Sequence, residues 1–218
     1  MDHVSDQEQI DALKKWWKEN GVAIVGGLAL GLAGVFGWQF WQSHTRTAAA
    51  EASDLYQQVV SLSGEGQPEQ AAGLTGQLRI DHTGSPYAAL ASFVIAAQYL
   101  EDGELAEAEQ QLRWVVDSTP QTELVDVARL RLARVLLAQD KADAALAMTE
   151  TVGQAFRAEA EAIRGDAFLT LNDRDRAREA NQAAQAAAAL EGRSTPLLDM
   201  KLNDLSDLSG VAGAGTGQ

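Results

Sequence analysis

From Gly21 to Trp41 the chain reads GVAIVGGLALGLAGVFGWQFW without one charged side chain, and a segment of that kind has few places to go. As a helix rising about 1.5 Å per residue, the stretch from Val22 to Trp41 reaches roughly 30 Å, the thickness of a bilayer's hydrocarbon core. A buried helix of a soluble domain would carry a polar stripe toward water. Here only Gln39, near one end, is strongly polar. A removable secretion signal would have an apolar region of about 7–15 residues behind a basic leader. This run is longer, and Asp2, Asp6, Glu8, Asp11 and Glu19 stand before it, although Ala48-Ala49-Ala50 mimics a cleavage site. The sequence therefore predicts a transmembrane helix over residues 21–42, retained as a signal anchor.

Flanking cations give its direction, because Lys and Arg beside a span stay on the cytoplasmic side. Lys14, Lys15 and Lys18 precede it; only Arg46 follows closely, and the next basic residue is Arg79. Residues 1–20 are thus expected in the cytoplasm and residues 43 onward across the membrane. Trp16 and Trp17 at the entrance, with Trp38, Phe40 and Trp41 at the exit, match the aromatic belts of the two headgroup layers. Ala23, Gly27, Gly31 and Gly34 fall on one helical face. Such a strip either lets another membrane helix approach closely or reflects the frequency of glycine in spans. Ahead of it, Ser5 and Glu8 resemble a capping box, and Ile10, Leu13 and Trp17 share a face, which predicts a short helix lying on the cytoplasmic surface.

Seventeen basic residues against 31 acidic ones leave a net charge of −14. Phosphate backbones are bound by clustered Lys and Arg, so nucleic acid is an unsuitable partner. Anionic headgroups would repel the exported part, which should stand off the membrane. Cysteine is absent, which excludes disulfides, thiolate metal sites and cysteine nucleophiles.

Alanine, leucine, glutamate, glutamine and arginine dominate from Thr45 to Leu208, with Pro68, Pro86, Pro120 and Pro196 as interruptions. An all-α domain over residues 43–208 follows. Turn chemistry gathers at 63–68, 82–86 and 117–120, and more weakly at 101–103, 140–141 and 171–173. The segments between them repeat. Ala96-x-x-Tyr99 with Asp102-Gly103 and Ala108 aligns with Ala133-x-x-Leu136, Asp140 and Ala145, and then with Gly165-x-x-Phe168, Asn172 and Ala177. The offsets, 37 and 32 residues, bracket the period of about 34 residues of a helix-turn-helix repeat in which small residues allow close crossing.

These positions resemble tetratricopeptide repeats across residues 89–190. Gly165 in place of alanine, Arg129 and Arg164 at positions normally apolar, and a missing closing proline in the third unit depart from that pattern. Residues 45–80 are expected to form a degenerate capping pair, Leu197–Leu208 a final helix, and residues 209–218 a flexible Gly-rich tail.

The combination of KKWWKENG, GWQFWQSH, SPYAALA, RLARV with ADAAL, and RGDAFL is similar to the YfgM-type ancillary subunits of the Sec translocon, over nearly the whole chain up to Leu208. That resemblance implies a single-pass bacterial inner-membrane protein with a periplasmic repeat domain. It also implies association with the SecYEG channel, the periplasmic chaperone PpiD and newly exported clients. The alternative is a repeat scaffold for another envelope assembly complex, in outer-membrane or cell-wall biogenesis.

Signs of chemistry are lacking. His3, His44 and His82 show neither His-x-x-x-His nor Glu-x-x-His spacing, and no Gly-x-Ser-x-Gly or phosphate loop occurs. No catalytic, metal-binding or cofactor-binding residue is nominated, and a non-enzymatic protein is expected. A helical-pair array offers a groove lined by the first helix of each pair. Extrapolated register places Phe93, Leu100, Arg134, Leu137, Asp166 and Leu169 along it, where apolar contacts with interleaved charges would hold a peptide segment. Arg129, Arg131 and Arg134 form either a docking stripe or a solvated face.

Overall fold

The structure, a computed structural model, describes the backbone of residues 3–214 and the side chains of residues 9–205. Its elements in chain order are α1 (His3–Gly64), α2 (Pro68–Asp81), α3 (Pro86–Glu101), α4 (Leu105–Ser118), α5 (Thr122–Ala138), α6 (Ala142–Thr149), a 3-10 turn (Gln154–Phe156), α7 (Arg157–Thr170), α8 (Arg174–Leu190) and α9 (Pro196–Ala214). No strand occurs among the described residues. The chain divides into two compact units, Met1–Glu51 and Ala52–Gln218.

In the first unit, α1 is helical through the whole apolar run, and Val22 to Trp41 are exposed along its length. Its most apolar window has a mean hydropathy of 1.9, a surface suited to lipid rather than water. Residues 3–20 belong to the same helix, which corrects the expectation of a separate surface helix: no proline stands between His3 and Gly64 to end it. At Gly21 the Trp17 ring lies 3.2 Å from where a Cβ would sit. Beyond the run the helix does not stop either, and the hydroxyls of Thr45 and Thr47 donate back to the carbonyls of Trp41 and Ser43.

The second unit is an array of antiparallel hairpins. The helices from α2 to α9 pack each on the next, and α5 also touches α3 and α7, so the core is strung along the array. Ala52, Val59, Leu78 and Ile95 fill its start, Leu112, Leu132, Leu136 and Ile163 its middle, and Phe168, Ala177 and Leu205 its end. Trp114 packs against both the first and the middle clusters.

Each reversal within the repeats uses one backbone device. Gly103, Asp140 and Asn172 take left-handed φ of 79°, 61° and 59°, each seven residues past the small residue of its repeat. The next amide then donates to the large residue of the motif: Glu104 to Tyr99 at 2.7 Å, Lys141 to Leu136 at 2.9 Å and Asp173 to Phe168 at 2.8 Å. That six-residue closure satisfies carbonyls a helix end would otherwise leave bare. Gly66 and Gly192 repeat it, with Gln67 donating to Leu62 and Arg193 to Ala188. Helix starts carry local marks. Pro68, Pro86 and Pro196 open their helices, Ser85 accepts from the Tyr87 amide, and Asp173 accepts from the Arg176 amide.

Two boundaries differ from expectation. The final helix runs on to Ala214 where a tail was expected from residue 209; the expected tail's last four residues, 215–218, lie outside the described residues. The segment between α6 and α7, with its 3-10 turn, carried no recognised break. It is held by Asp126, a buried carboxylate that accepts the Gly153 amide at 3.0 Å and pairs with Arg129 at 3.2 Å.

Candidate interaction groove

The residues expected to line a groove come from α3, α5 and α7, the first helices of the three repeats. Leu100, Leu137 and Leu169 occupy one register, four residues after Ala96, Ala133 and Gly165. Their carbonyls accept from the left-handed residues of the turns, so the same reversal positions all three. Leu100 is 42% exposed; Leu137 and Leu169 are half-buried. One register earlier, Arg134 is exposed and pairs with Glu159 of α7 at 2.7 Å. Asp166 pairs with Lys201 of α9, and Leu169 packs on the cluster that holds Leu205. The row is therefore open at Leu100 and covered by α9 at Asp166 and Leu169.

Phe93 is not on that surface. It is buried in the middle core, and the Arg131 guanidinium lies 4.5 Å over its ring. A charged head that stays wet while covering an aromatic face accounts for the exchange. The three arginines of α5 do not act as one set: Arg129 turns to Asp126 and the Thr151 carbonyl, Arg131 to Phe93, and Arg134 to Glu159.

The strip expected to pack against another membrane helix lies on α1. Nothing lies within 4 Å of a Cβ built at Gly27, Gly31 or Gly34, and Ala23 is exposed.

Some polar connections were not foreseen. Arg79 of α2 donates to Ser92 at 3.1 Å and to Gln111, and its guanidinium lies 4.6 Å from the centre of the Trp114 ring. It ties α2 to α3 and α4 without a carboxylate, and burial pushes its guanidinium down to about 10, partly opposed by Tyr99. Glu109 bridges Arg113 at 2.7 Å and Lys141 at 3.1 Å, joining the first repeat to the turn of the second. Desolvation works against its charge, but hydrogen bonds from Arg113 and Lys141 outweigh it and hold the carboxyl below the usual range. Asp173 is held low by the Arg176 amide and guanidinium at the start of α8. Charges paired across distant sequence positions leave no local pattern by which they could be found; the Asp173 cap, by contrast, is a recognisable local signal.

Comparison with known proteins bears on most of the chain. Residues 14–207 match the family described as tetratricopeptide repeat-like domain. A protein of Escherichia coli K12 named "Ancillary SecYEG translocon subunit" is 34% identical over 203 residues, 93% of this chain and 97% of that one. Proteins of the same name from Haemophilus influenzae and Neisseria gonorrhoeae are 28% and 26% identical, each over 93% of this chain and 98% of their own length.

Proposed function

The chain belongs to the family of ancillary SecYEG translocon subunits and carries a tetratricopeptide repeat-like domain; on that premise we propose that it is a non-enzymatic subunit anchored beside the export channel. Its N-terminus lies in the cytoplasm and its hairpin array in the periplasm of a bacterial inner membrane. Lys14, Lys15 and Lys18 before the apolar run, against Arg46 alone close behind it, support that direction. The observation that carries the reading is the continuity of the match: it covers the exposed apolar helix and the repeats together, so anchor and array form one inherited combination.

In this reading the Ala23, Gly27, Gly31 and Gly34 strip meets another membrane helix. The open part of the row, Leu100, Arg134 and Leu137, meets a protein segment: a newly exported chain or a periplasmic chaperone such as PpiD. Tethering raises the local concentration of partners, so contacts that are weak one by one suffice. The leucines supply apolar contact, and the Arg134–Glu159 pair supplies charges that exchange partners during docking. A photo-crosslinking residue placed at Leu100 or Arg134 of the full chain in cells tests this. Adducts with the channel, its chaperone or exported chains are the expected result. Adducts confined to outer-membrane or cell-wall assembly proteins would replace this reading with that of a scaffold for another machine.

A further inference from the structure

The first hairpin of the array differs from the rest in leaving its helices apart. The helices of the α3/α4, α5/α6 and α7/α8 hairpins pack closely, whereas the backbones of α1 and α2 stand farther from each other. Between them lies a cavity of about 650 Å³, within the usual range of ligand sites of about 300–1,000 Å³. Gln58 and Leu62 face it from α1, and Gln70, Gly73, Leu74 and Gln77 from α2. Those spacings of three, four and seven residues put each set on a single helix face.

This trough has an unusual chemistry for a chain of net charge −14: none of its lining side chains is charged. Leu62 and Leu74 are half-buried and pack on the core below, forming an apolar floor. Gln58, Gln70 and Gln77 are exposed and have no hydrogen-bond partner among the described residues. Each amide offers both donors and an acceptor, which is what an extended backbone requires of a wall. Ser61 is the exception, because its hydroxyl donates to Glu65. At the middle of α2, Gly73 leaves bare helix with nothing within 4 Å of a built Cβ, so a chain can approach the backbone there. Exposed carboxylates stand at both ends: Asp54 on α1 and Glu65 in the turn just past its end, Glu69 and Asp81 on α2.

We propose that the α1/α2 trough binds an extended polypeptide segment with an uncharged centre and basic flanks, held by its backbone rather than by its sequence. The glutamine amides pair with its peptide groups, the leucine floor takes its small and aliphatic side chains, and the acidic ends fix its Lys and Arg flanks. This site is separate from the leucine row on α3, α5 and α7. It rests on the proposed function only for the class of partner, a polypeptide.

The test uses the full chain in detergent micelles and a fluorescent peptide of about nine residues, with alanine, valine, threonine and serine between paired Lys and Arg, read by anisotropy. Gly73→Leu fills the trough from a solvent-facing helix position and raises helix propensity, so loss of binding with an unchanged melting curve is loss of the site. Affinity is expected to fall about tenfold or more in Gly73→Leu and about threefold in Gln58→Ala or Gln77→Ala, the effect of one lost hydrogen bond. Binding should weaken with salt for the basic-flanked peptide and not for one with serine flanks. Arg174→Gln, at an exposed position of α8 outside both sites, should leave it unchanged. Unaltered binding in Gly73→Leu, binding lost instead in Arg174→Gln, or no binding of the peptide to the parent chain at about millimolar concentration would each overturn the proposal. Association with the export channel is read separately, by co-purification of the same variants, so the two ideas fail independently.

Discussion

Hairpins α5/α6 and α7/α8 turn at the same register through the same hydrogen bonds, yet their helices cross on different chemistry. In the first of the two, Ala133 is fully buried, and sixteen residues later Thr149 is buried with its hydroxyl bonded to the Leu146 carbonyl at 2.7 Å. In the second, the matching positions are Gly165 and Asn181. Asn181 is fully buried, neither atom of its amide has a partner among the described residues, and its Oδ1 lies 2.5 Å from where a Cβ of residue 165 would be. Glycine stands in the third repeat because of what faces it. The turn is common property of the repeats, while the crossing is negotiated pair by pair.

The sharpest way to break that comparison is Gly165→Ala. A methyl forced against the buried amide should cost about 1–3 kcal/mol, as overpacking does, measured by urea unfolding of the purified chain. In an Asn181→Ala background the penalty should shrink, and a double-mutant cycle reads the coupling. Asn181→Leu alone should stabilise by about 1 kcal/mol, because an orphaned amide is removed from the core. A neutral Gly165→Ala would mean that the two crossings do not differ in the way described.

A smaller effect tests the shared half. Asp140→Ala and Asn172→Ala each place alanine in the left-handed region and should each lose about 1 kcal/mol, by thermal unfolding. Clearly unequal losses would show that the two turns are not one device.

The smallest effect concerns acid. Glu109 is charged at lower pH in the folded chain than in the unfolded one, so its contribution is fully present above the ordinary carboxylate range and fades as pH falls through its depressed value. Unfolding curves between about pH 5 and 2 should show a loss below about 1 kcal/mol from this partly solvated bridge. Glu109→Gln should flatten that part of the profile. The third repeat has Asp173 where the second has Lys141, and Asp173 is held within its own helix start, so Asp173→Asn should leave the bridge between repeats untouched.

Much of this architecture was legible in the sequence because it is written in local chemistry. Glycine, asparagine and proline fixed the turns, and small residues at constant offsets fixed the register of the hairpins. The breaks that were missed lacked such marks: α6 ends at Thr149 before a lone Gly153, whose position depends on Asp126 of another helix. α1 was divided at the expected membrane borders on the strength of its aromatic rings and charges, which report environment and do not interrupt a helix. Within the expected groove, Leu100, Leu137 and Leu169 share one register because each lies the same distance before its turn. Phe93 was misplaced because the residue that covers it, Arg131, comes from a neighbouring hairpin. Arg79, tied to Ser92 and Gln111 of two other helices, was invisible for the same reason.

The uniform reversals carry an evolutionary corollary. Since each first-to-second helix turn closes through an identical short ring of atoms, an inserted or deleted residue there would break the ring, and the array has no slack at those points. Changes in length must be absorbed beyond it: α4 spans 14 residues and α6 only 8, the latter followed by the 3-10 turn. The stretch from Thr149 to Arg157 is accordingly where the repeats differ in length, and the tie from Gly153 to Asp126 holds that difference against the core.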